Sequence, residues 1–274
     1  MTIRERALQL HEQARGKIEV NLKVELKDMD DLSLAYSPGV AEPCKEIFEH
    51  PEKVYDYTFK GNTVAIVTDG SSVLGLGDIG AAASLPVMEG KAALFKAFAG
   101  IDGIPICLNT SDPEQIISIV KAMEPTFGGI NLEDISAPNC FLIEERLKKE
   151  MNIPVFHDDQ HGTAIVTAAG LINALKFTNR KAEQCKVVIN GAGAAGIAIA
   201  KLLARIGVKD MIVCDSKGAI YEGRQEGMNA IKEEIAKMTN KERVSGTLQD
   251  VIKGADVFIG VSVAGALTED MVRA

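Results

Sequence analysis

The sequence predicts an α/β protein in two parts: an N-terminal α/β substrate- and metal-binding domain, then a Rossmann-type dinucleotide-binding domain that is incomplete in this chain. Three observations predict it. Short apolar runs, such as TVAIVT at 63–68 and KVVIN at 186–190, alternate with helical patterns, which is the signature of parallel sheets. Two such runs, separated by one helical stretch, end in carboxylates at Glu133-Asp134 and at Asp158-Asp159. A later run opens into Gly191-Ala-Gly193-Ala194-Ala195-Gly196, with Asp215 standing 19 residues beyond the last glycine.

The 274 residues suffice for two domains with buried cores. Hydrophobic residues make up 46% and charged residues 25%, the balance of a soluble globular chain. A net charge of -8, with no Lys/Arg block, argues against a nucleic-acid partner. No charged-then-apolar leader and no long uncharged apolar run are present, so neither export nor membrane insertion is expected. The five cysteines are scattered and odd in number, as for reduced thiols in a cytoplasmic protein.

Taken in order, residues 2–15 repeat apolar positions at helical spacing. Ile18, Val20, Leu22, Val24 and Leu26 then alternate with polar residues, predicting a half-buried strand or an extended arm of the kind used in subunit contacts. Ser37-Pro38-Gly39 is a turn leading into a helix through Phe48, and Tyr36 stands just before it, where a phenol can project into a cleft. The strand at 63–68 breaks at Asp69-Gly70, and the glycines of SSVLGLGDIG suit close approach of a ligand to the backbone. A helix is predicted over 81–99. Lys91 lies within it among Ala92, Leu94, Phe95 and Phe98, and desolvation there would lower its pKa and fit it to act as a base. A buried strand at 104–108 and a helix capped near Ser111-Asp112-Pro113 complete the approach to the acidic stretch.

That stretch reads as strand, helix, strand, with Leu142, Ile143 and Leu147 predicted on one helix face. As a right-handed βαβ unit it sets its two acidic strand ends side by side at the carboxyl edge of the sheet. One acidic strand end would be no more than a helix cap. Two place three or four carboxylates around one point, where mutual repulsion makes a cation the simplest stabilising partner. Oxygen ligands favour magnesium or manganese over zinc. His157 and His161 are four apart but lack the rest of a zinc signature, and read as packing histidines.

An Ala-rich helix from Gly162 leads to the second domain, which sets the expected boundaries at 1–161 and 162–274. There the glycines at 191, 193 and 196 supply the tight turn, the pyrophosphate approach and the close helix packing of a dinucleotide site. Asp215 favours a ribose 2′-hydroxyl and hence NAD, while Lys217, two residues on, leaves NADP open. Only three clear strands follow Lys186, against about six in a complete fold of this type, so the chain is expected to lack the C-terminal part of this domain.

Across essentially its whole length the chain resembles the malic enzyme family, in its short bacterial form. The matching motifs are SLAYSPGVAEPC, VTDGSSVLGLGDIG, PVMEGKAALFKAFAGID, INLEDISAPNCF, PVFHDDQHGTA and GAGAAGIAIAKLL. The resemblance implies Tyr36 as general acid, Lys91 as general base, Glu133, Asp134 and Asp159 as ligands of Mg2+ or Mn2+, and Asp158 as their neighbour. It implies oxidative decarboxylation of malate to pyruvate and CO2 with reduction of NAD or NADP, NAD favoured, by a homo-oligomer, a dimer. Two departures stand out. Larger members carry an arginine for the substrate carboxylate where this chain has Ser72, and the family's substrate-contacting asparagines lie beyond Ala274. The chain by itself is therefore expected to be inactive or nearly so. A non-oxidative decarboxylase acting on malate or oxaloacetate is the alternative chemistry. A non-catalytic dinucleotide-sensing module is the alternative class, against which the retained tyrosine, lysine and three acids argue.

Overall fold

The N-terminal region forms helices without forming a core. In the computed structural model, which describes residues 1–73 and 75–274, a capping box between Thr2 and Glu5 opens α1 (Ile3–Ala14). Asp28 caps α2 (Met29–Ala35), and α3 (Ala41–Glu49) and the single-turn α4 (Val54–Tyr57) follow. From Met1 to Phe59 no side chain is buried. The alternating stretch from Ile18 to Leu26 forms no strand and bends at Lys23 and Val24; Val20 is 92% exposed. Period-two alternation fixes an extended chain and says nothing about a pairing partner.

The first compact unit comprises Met1–Ile135 and Ile143–Phe156. Its sheet is built from β1 (Thr63–Thr68), β2 (Asp102–Cys107), β3 (Gly129–Leu132) and β4 (Val155–His157), in the order β2-β1-β3-β4. β1 runs parallel to both β2 and β3. Between β1 and β2 lies α5 (Ala81–Leu94), which continues as a π turn, Phe95–Ala99, and ends on left-handed Gly100. Met88 and Ala92 of α5 pack on Ile66. Between β2 and β3 lies α6 (Pro113–Ala122), capped by Asp112 and burying Ile116, Ile117 and Val120. Between β3 and β4 runs α7 (Asn139–Glu150). Its buried positions are Cys140, Ile143, Glu144 and Leu147, and Leu142, expected on that face, is instead 44% exposed.

The second unit comprises Ser136–Leu142 and His157–Ala274. It opens with α8 (Asp158–Thr178), whose Ala164, Ala168, Leu171 and Leu175 form a buried stripe at spacings of four, three and four. The helix was expected from Gly162 but starts at Asp158, since carboxylates in a first turn are favoured by the helix dipole. The sheet consists of β5 (Lys186–Asn190), β6 (Asp210–Asp215), the two-residue β7 (Gly218–Ala219) and β8 (Val257–Gly260), in the order β7-β6-β5-β8. β5 is parallel to β6 and β8, and β7 is antiparallel to β6. The helices α9 (Ala194–Arg205), α10 (Ala230–Met238), α11 (Leu248–Val251) and α12 (Glu269–Arg273) complete the chain. Val187, Ile189, Ile199, Leu203 and Val213 form the centre of this unit's core together with α8.

One buried lysine ties the start of β1 to the end of α6. Lys60 donates to the carbonyls of Glu124 and Phe127, the latter at 2.7 Å, with its ammonium over the Tyr55 ring. Burial of that ammonium lowers its pKa, offset in part by Glu124. Lys60→Ala leaves both carbonyls without their donor, at about 1–3 kcal/mol for each buried group left unsatisfied. Thermal unfolding should therefore show a midpoint several degrees lower, and an unchanged midpoint would remove Lys60 from the packing of this unit.

Candidate active site

Within the first unit, the carboxyl end of β3 carries a buried acid pair. Glu133 and Asp134 are 5% and 4% exposed, and Asp134 takes a left-handed backbone (φ 54). Each carboxylate or its backbone is tied to a neighbouring segment. Asn131 Nδ2 donates to Glu133 Oε2 at 2.8 Å, and Lys91 Nζ lies 3.1 Å from Glu133 Oε1. Lys91 comes from α5, and its side chain is 21% exposed, so it points inward onto β3 rather than out to water. Ser72 N donates to the Asp134 carbonyl at 3.0 Å, pinning the glycine loop to the same strand end. That loop closes on itself through the Ile79 and Gly80 N–H groups, both donating to Gly70 O. Ser72 therefore contributes a backbone contact where the larger relatives were expected to place an arginine.

Tyr36, the expected acid, is the C-cap of α2 and is 69% exposed.

In the second unit, Asp158 and Asp159 occupy the first turn of α8. His157 is fully buried. Its Nδ1 faces Gln160 Nε2 at 3.0 Å, and its Nε2 lies 3.3 Å from Asp159 Oδ2.

The glycine turn is built for a phosphate. A Cβ on Gly196 would lie 1.8 Å from Gly191 O, and one on Gly191 (φ 130) would lie 2.5 Å from Val261 O. By contrast, nothing lies within 4 Å of a Cβ position at Gly193, the N-cap of α9, so the helix mouth is open there. Ala194 and Ala195 form the first turn, whose free N–H groups suit a pyrophosphate. The adjoining cavity, about 410 Å³, is lined by Asn190, Gly191, Gly193, Asp215, Lys232 and Ser262 among others. Asn190 Nδ2 donates to Ser262 Oγ at 2.8 Å, joining the ends of β5 and β8 at its floor.

Asp215 is held more tightly than its expected role requires. Arg224 grips both carboxylate oxygens, with Nη1 to Oδ1 at 2.8 Å, while Lys232 Nζ reaches Oδ2 at 2.6 Å and Lys217 N reaches Oδ1 at 2.9 Å. Those four donors fill roughly the four acceptor positions a carboxylate offers. Burial alone would raise this carboxyl group, but the Arg224, Lys232 and Lys217 hydrogen bonds outweigh it and hold it well below the usual carboxylate range. The neighbouring Cys214 thiol is pushed up to about 12 by burial first and by the Asp215 charge second, which leaves it inert. The cation beside Asp215 is thus Lys232, reinforced by Arg224. The Lys217 side chain pairs with Glu226 at 2.6 Å, and only its backbone N–H meets Asp215. Sequence offered no signal for Arg224 or Lys232, which lie 9 and 17 residues beyond the aspartate in a turn and a helix.

With this geometry established, comparison with known proteins decides the family. Residues 15–148 match the family described as malic enzyme, N-terminal domain, and residues 160–274 match malic enzyme, NAD binding domain. The chain is 68% identical to a bifunctional malic/malolactic enzyme of Bacillus subtilis over 273 residues, covering 100% of this chain and 67% of that protein. The chain belongs to the malic enzyme family. It is also 53% identical to an NADP-dependent malic enzyme of Haemophilus influenzae, covering 99% of this chain and 36% of the relative. The crystal structure of an NAD-dependent malic enzyme from Thermotoga maritima superposes with a TM-score of 0.95 at 56% identity, covering 97% of this chain and 71% of that one. The chain thus spans between about a third and two thirds of the curated malic enzymes it matches. The second unit is the nucleotide-binding part of a malic enzyme, and no helix among the described residues is long and apolar enough to cross a membrane.

Two outcomes follow from this site. Gly196→Ala forces a Cβ into the Gly191 carbonyl, so the variant should lose dinucleotide binding in a titration and unfold earlier, by about 1–3 kcal/mol for an overpacked site. Asp215→Asn removes the partner of a buried Arg224 and should cost on the order of 3 kcal/mol at neutral pH. Because the folded carboxyl lies below its unfolded value near 4, that stabilisation is present above pH 4 and lost as pH falls through the folded value. The gap between wild type and Asp215→Asn should hold from pH 8 to 5 and close in more acidic buffer; a gap that instead widened there would contradict the ion-pair assignment.

Proposed function

We propose that the full-length protein oxidatively decarboxylates malate to pyruvate and CO2 with reduction of a nicotinamide dinucleotide, dependent on a divalent cation. The observation that carries this is the 3.1 Å pair between Lys91 and Glu133, which sets a candidate base against the acidic end of β3. Glu133 and Asp134 end that strand, and Asp159 follows two residues after the neighbouring β4. All three offer carboxylate oxygens, the donor set of Mg2+ or Mn2+. A cation held there would supply Lewis-acid polarisation of the substrate's C2 oxygen, and a bound nicotinamide would be the hydride acceptor. Lys91 would take the proton from the C2 hydroxyl, and Tyr36 would return a proton to C3 after CO2 departs. Asp158, beside Asp159 on the first turn of α8, adds negative charge that helps retain the cation.

Between the dinucleotides, the Asp215 charge opposes a 2′-phosphate and so favours NAD, while Lys232 and Arg224 offset that charge. NAD is therefore favoured only weakly, by less than about tenfold or ~1.4 kcal/mol. None of the five cysteines forms a disulfide, which suits a reducing cytoplasm, and the protein works as a dimer of identical chains.

Malate-dependent absorbance with NAD and NADP, with and without manganese, tests this reading. Asp159→Asn should lose turnover and manganese affinity while retaining dinucleotide binding, and Lys91→Ala should lose on the order of a hundredfold or more in hydride transfer. Normal turnover by Asp159→Asn at low manganese would remove it from the ligand set. Lys232→Ala should lower kcat/KM for NADP more than for NAD; equal losses would take Lys232 out of cofactor choice. The name of the B. subtilis relative favours a second reaction, so products should be analysed for lactate formed without net cofactor reduction.

A further inference from the structure

We propose that Asn131 is a positioning residue: its amide fixes the Glu133 carboxylate in the orientation from which it meets Lys91 and would bind the cation. The inference rests on the reading of Glu133 as a cation ligand, and it adds a residue which that reading does not use.

The strand explains how the amide comes to be there. All four residues of β3 are buried, and Asn131 is 3% exposed within it. Glu133 N continues the ladder to Val67 O at 2.9 Å. Side chains alternate along a strand, so Asn131 and Glu133, two apart, share one face while Ile130 and Leu132 take the other. That face lies under α5. Asn131 stands beside Ile66 in the register of β1 and β3, Ile66 packs on Met88 and Ala92, and Lys91 of the same helix meets Glu133. An aliphatic side chain would fill such a place without burying a polar group. A buried amide is costly unless it is hydrogen-bonded, and this one donates to Glu133 Oε2 at 2.8 Å.

The chemistry of the partner fixes the amide's direction. An ionised carboxylate only accepts, so Nδ2 and not Oδ1 faces Glu133. An amide is also the donor that suits a cation ligand. A lysine or arginine at 131 would orient the carboxylate but would cancel charge that a hard divalent cation draws on. Asn131 instead holds Oε2 through a neutral N–H, while Lys91 Nζ lies 3.1 Å from Oε1, so the carboxylate is held from two sides. A glutamate ordered only on binding loses rotamer freedom at that moment, whereas one ordered beforehand does not. Hydrogen bonds made to a metal's ligands typically account for about 10–100-fold in metal affinity.

The experiment is a manganese titration by calorimetry on the protein extended to its relatives' length, with thermal unfolding and malate-dependent NAD reduction in parallel. Asn131→Leu keeps the branched shape and removes the donor. It should weaken Mn2+ binding by about 10–100-fold and raise the manganese needed for half-maximal turnover by a similar factor. Asn131→Gln, which keeps a neutral amide, should stay nearer to wild type. An amide with a packing role alone would lower the unfolding midpoint of Asn131→Leu and leave its Mn2+ affinity unchanged; that result, or equal losses in the two variants, overturns the proposal. Asn131→Val replaces Asn131→Leu if the latter fails to fold. Glu133→Gln separates the proposal from the reading beneath it. If Glu133→Gln binds Mn2+ as wild type does, Glu133 is no ligand and both fall; if it loses affinity and Asn131→Leu does not, only the proposal falls. The titration needs no turnover, so it decides the role of Asn131 even if the proposed reaction fails.

Discussion

Two adjacent carboxylates buried at the end of one four-residue strand are the constraint on which the first unit depends. Glu133 and Asp134 follow β3 directly and are almost wholly removed from water. A buried carboxylate is costly unless hydrogen bonds and opposite charge replace its hydration. At Glu133 the fold meets that cost with Asn131 from the strand itself and Lys91 from α5, while Ser72 N of the glycine loop holds the Asp134 backbone carbonyl. The same contacts bring a candidate base, a candidate cation-binding edge and the glycine loop to one strand end. Stability and chemistry draw on one set of interactions here, so substitutions in this group should rarely affect only one of them.

The second unit uses the same device with a different outcome. Asp215 also stands at the end of a parallel strand and also receives a lysine from a helix, here Lys232 of α10, which follows the strand where α5 precedes β3. Arg224 adds a bidentate grip, leaving a net positive cluster at the rim of the dinucleotide cavity. At β3 the excess is negative, the sign that a cation would complement; at β6 it is positive, the sign that a phosphate would complement.

Strands and the glycine turn were legible because their signals are local. The run at 63–68 became β1 residue for residue, and the spacing of Gly191, Gly193 and Gly196 matched a turn in which only Gly196 fits against the Gly191 carbonyl. Errors came where a local pattern is silent about its partner. Ile18 to Leu26 alternates as a strand does, yet nothing in that alternation supplies a neighbouring strand. Leu142 was assigned to the buried face of α7, but Cys140 and Glu144 take that face, a rotation that apolar counting could not resolve because the acid is buried with a lysine partner, Lys148, at 2.7 Å. Lys217 was the nearest cation to Asp215 in sequence, whereas Arg224 and Lys232 are nearest in space.

Exposure of the first 59 residues has a thermodynamic meaning. Helices as short as α2 and α3 are marginal in water on their own, and most helix stability in proteins comes from packing an apolar face. Here no side chain of α2 or α3 is buried within the chain, so α2 depends on its cap: Asp28 Oδ1 accepts from Asp30 N and Asp31 N at 3.0 Å each, which satisfies two of the donors that the first turn leaves without a helical partner.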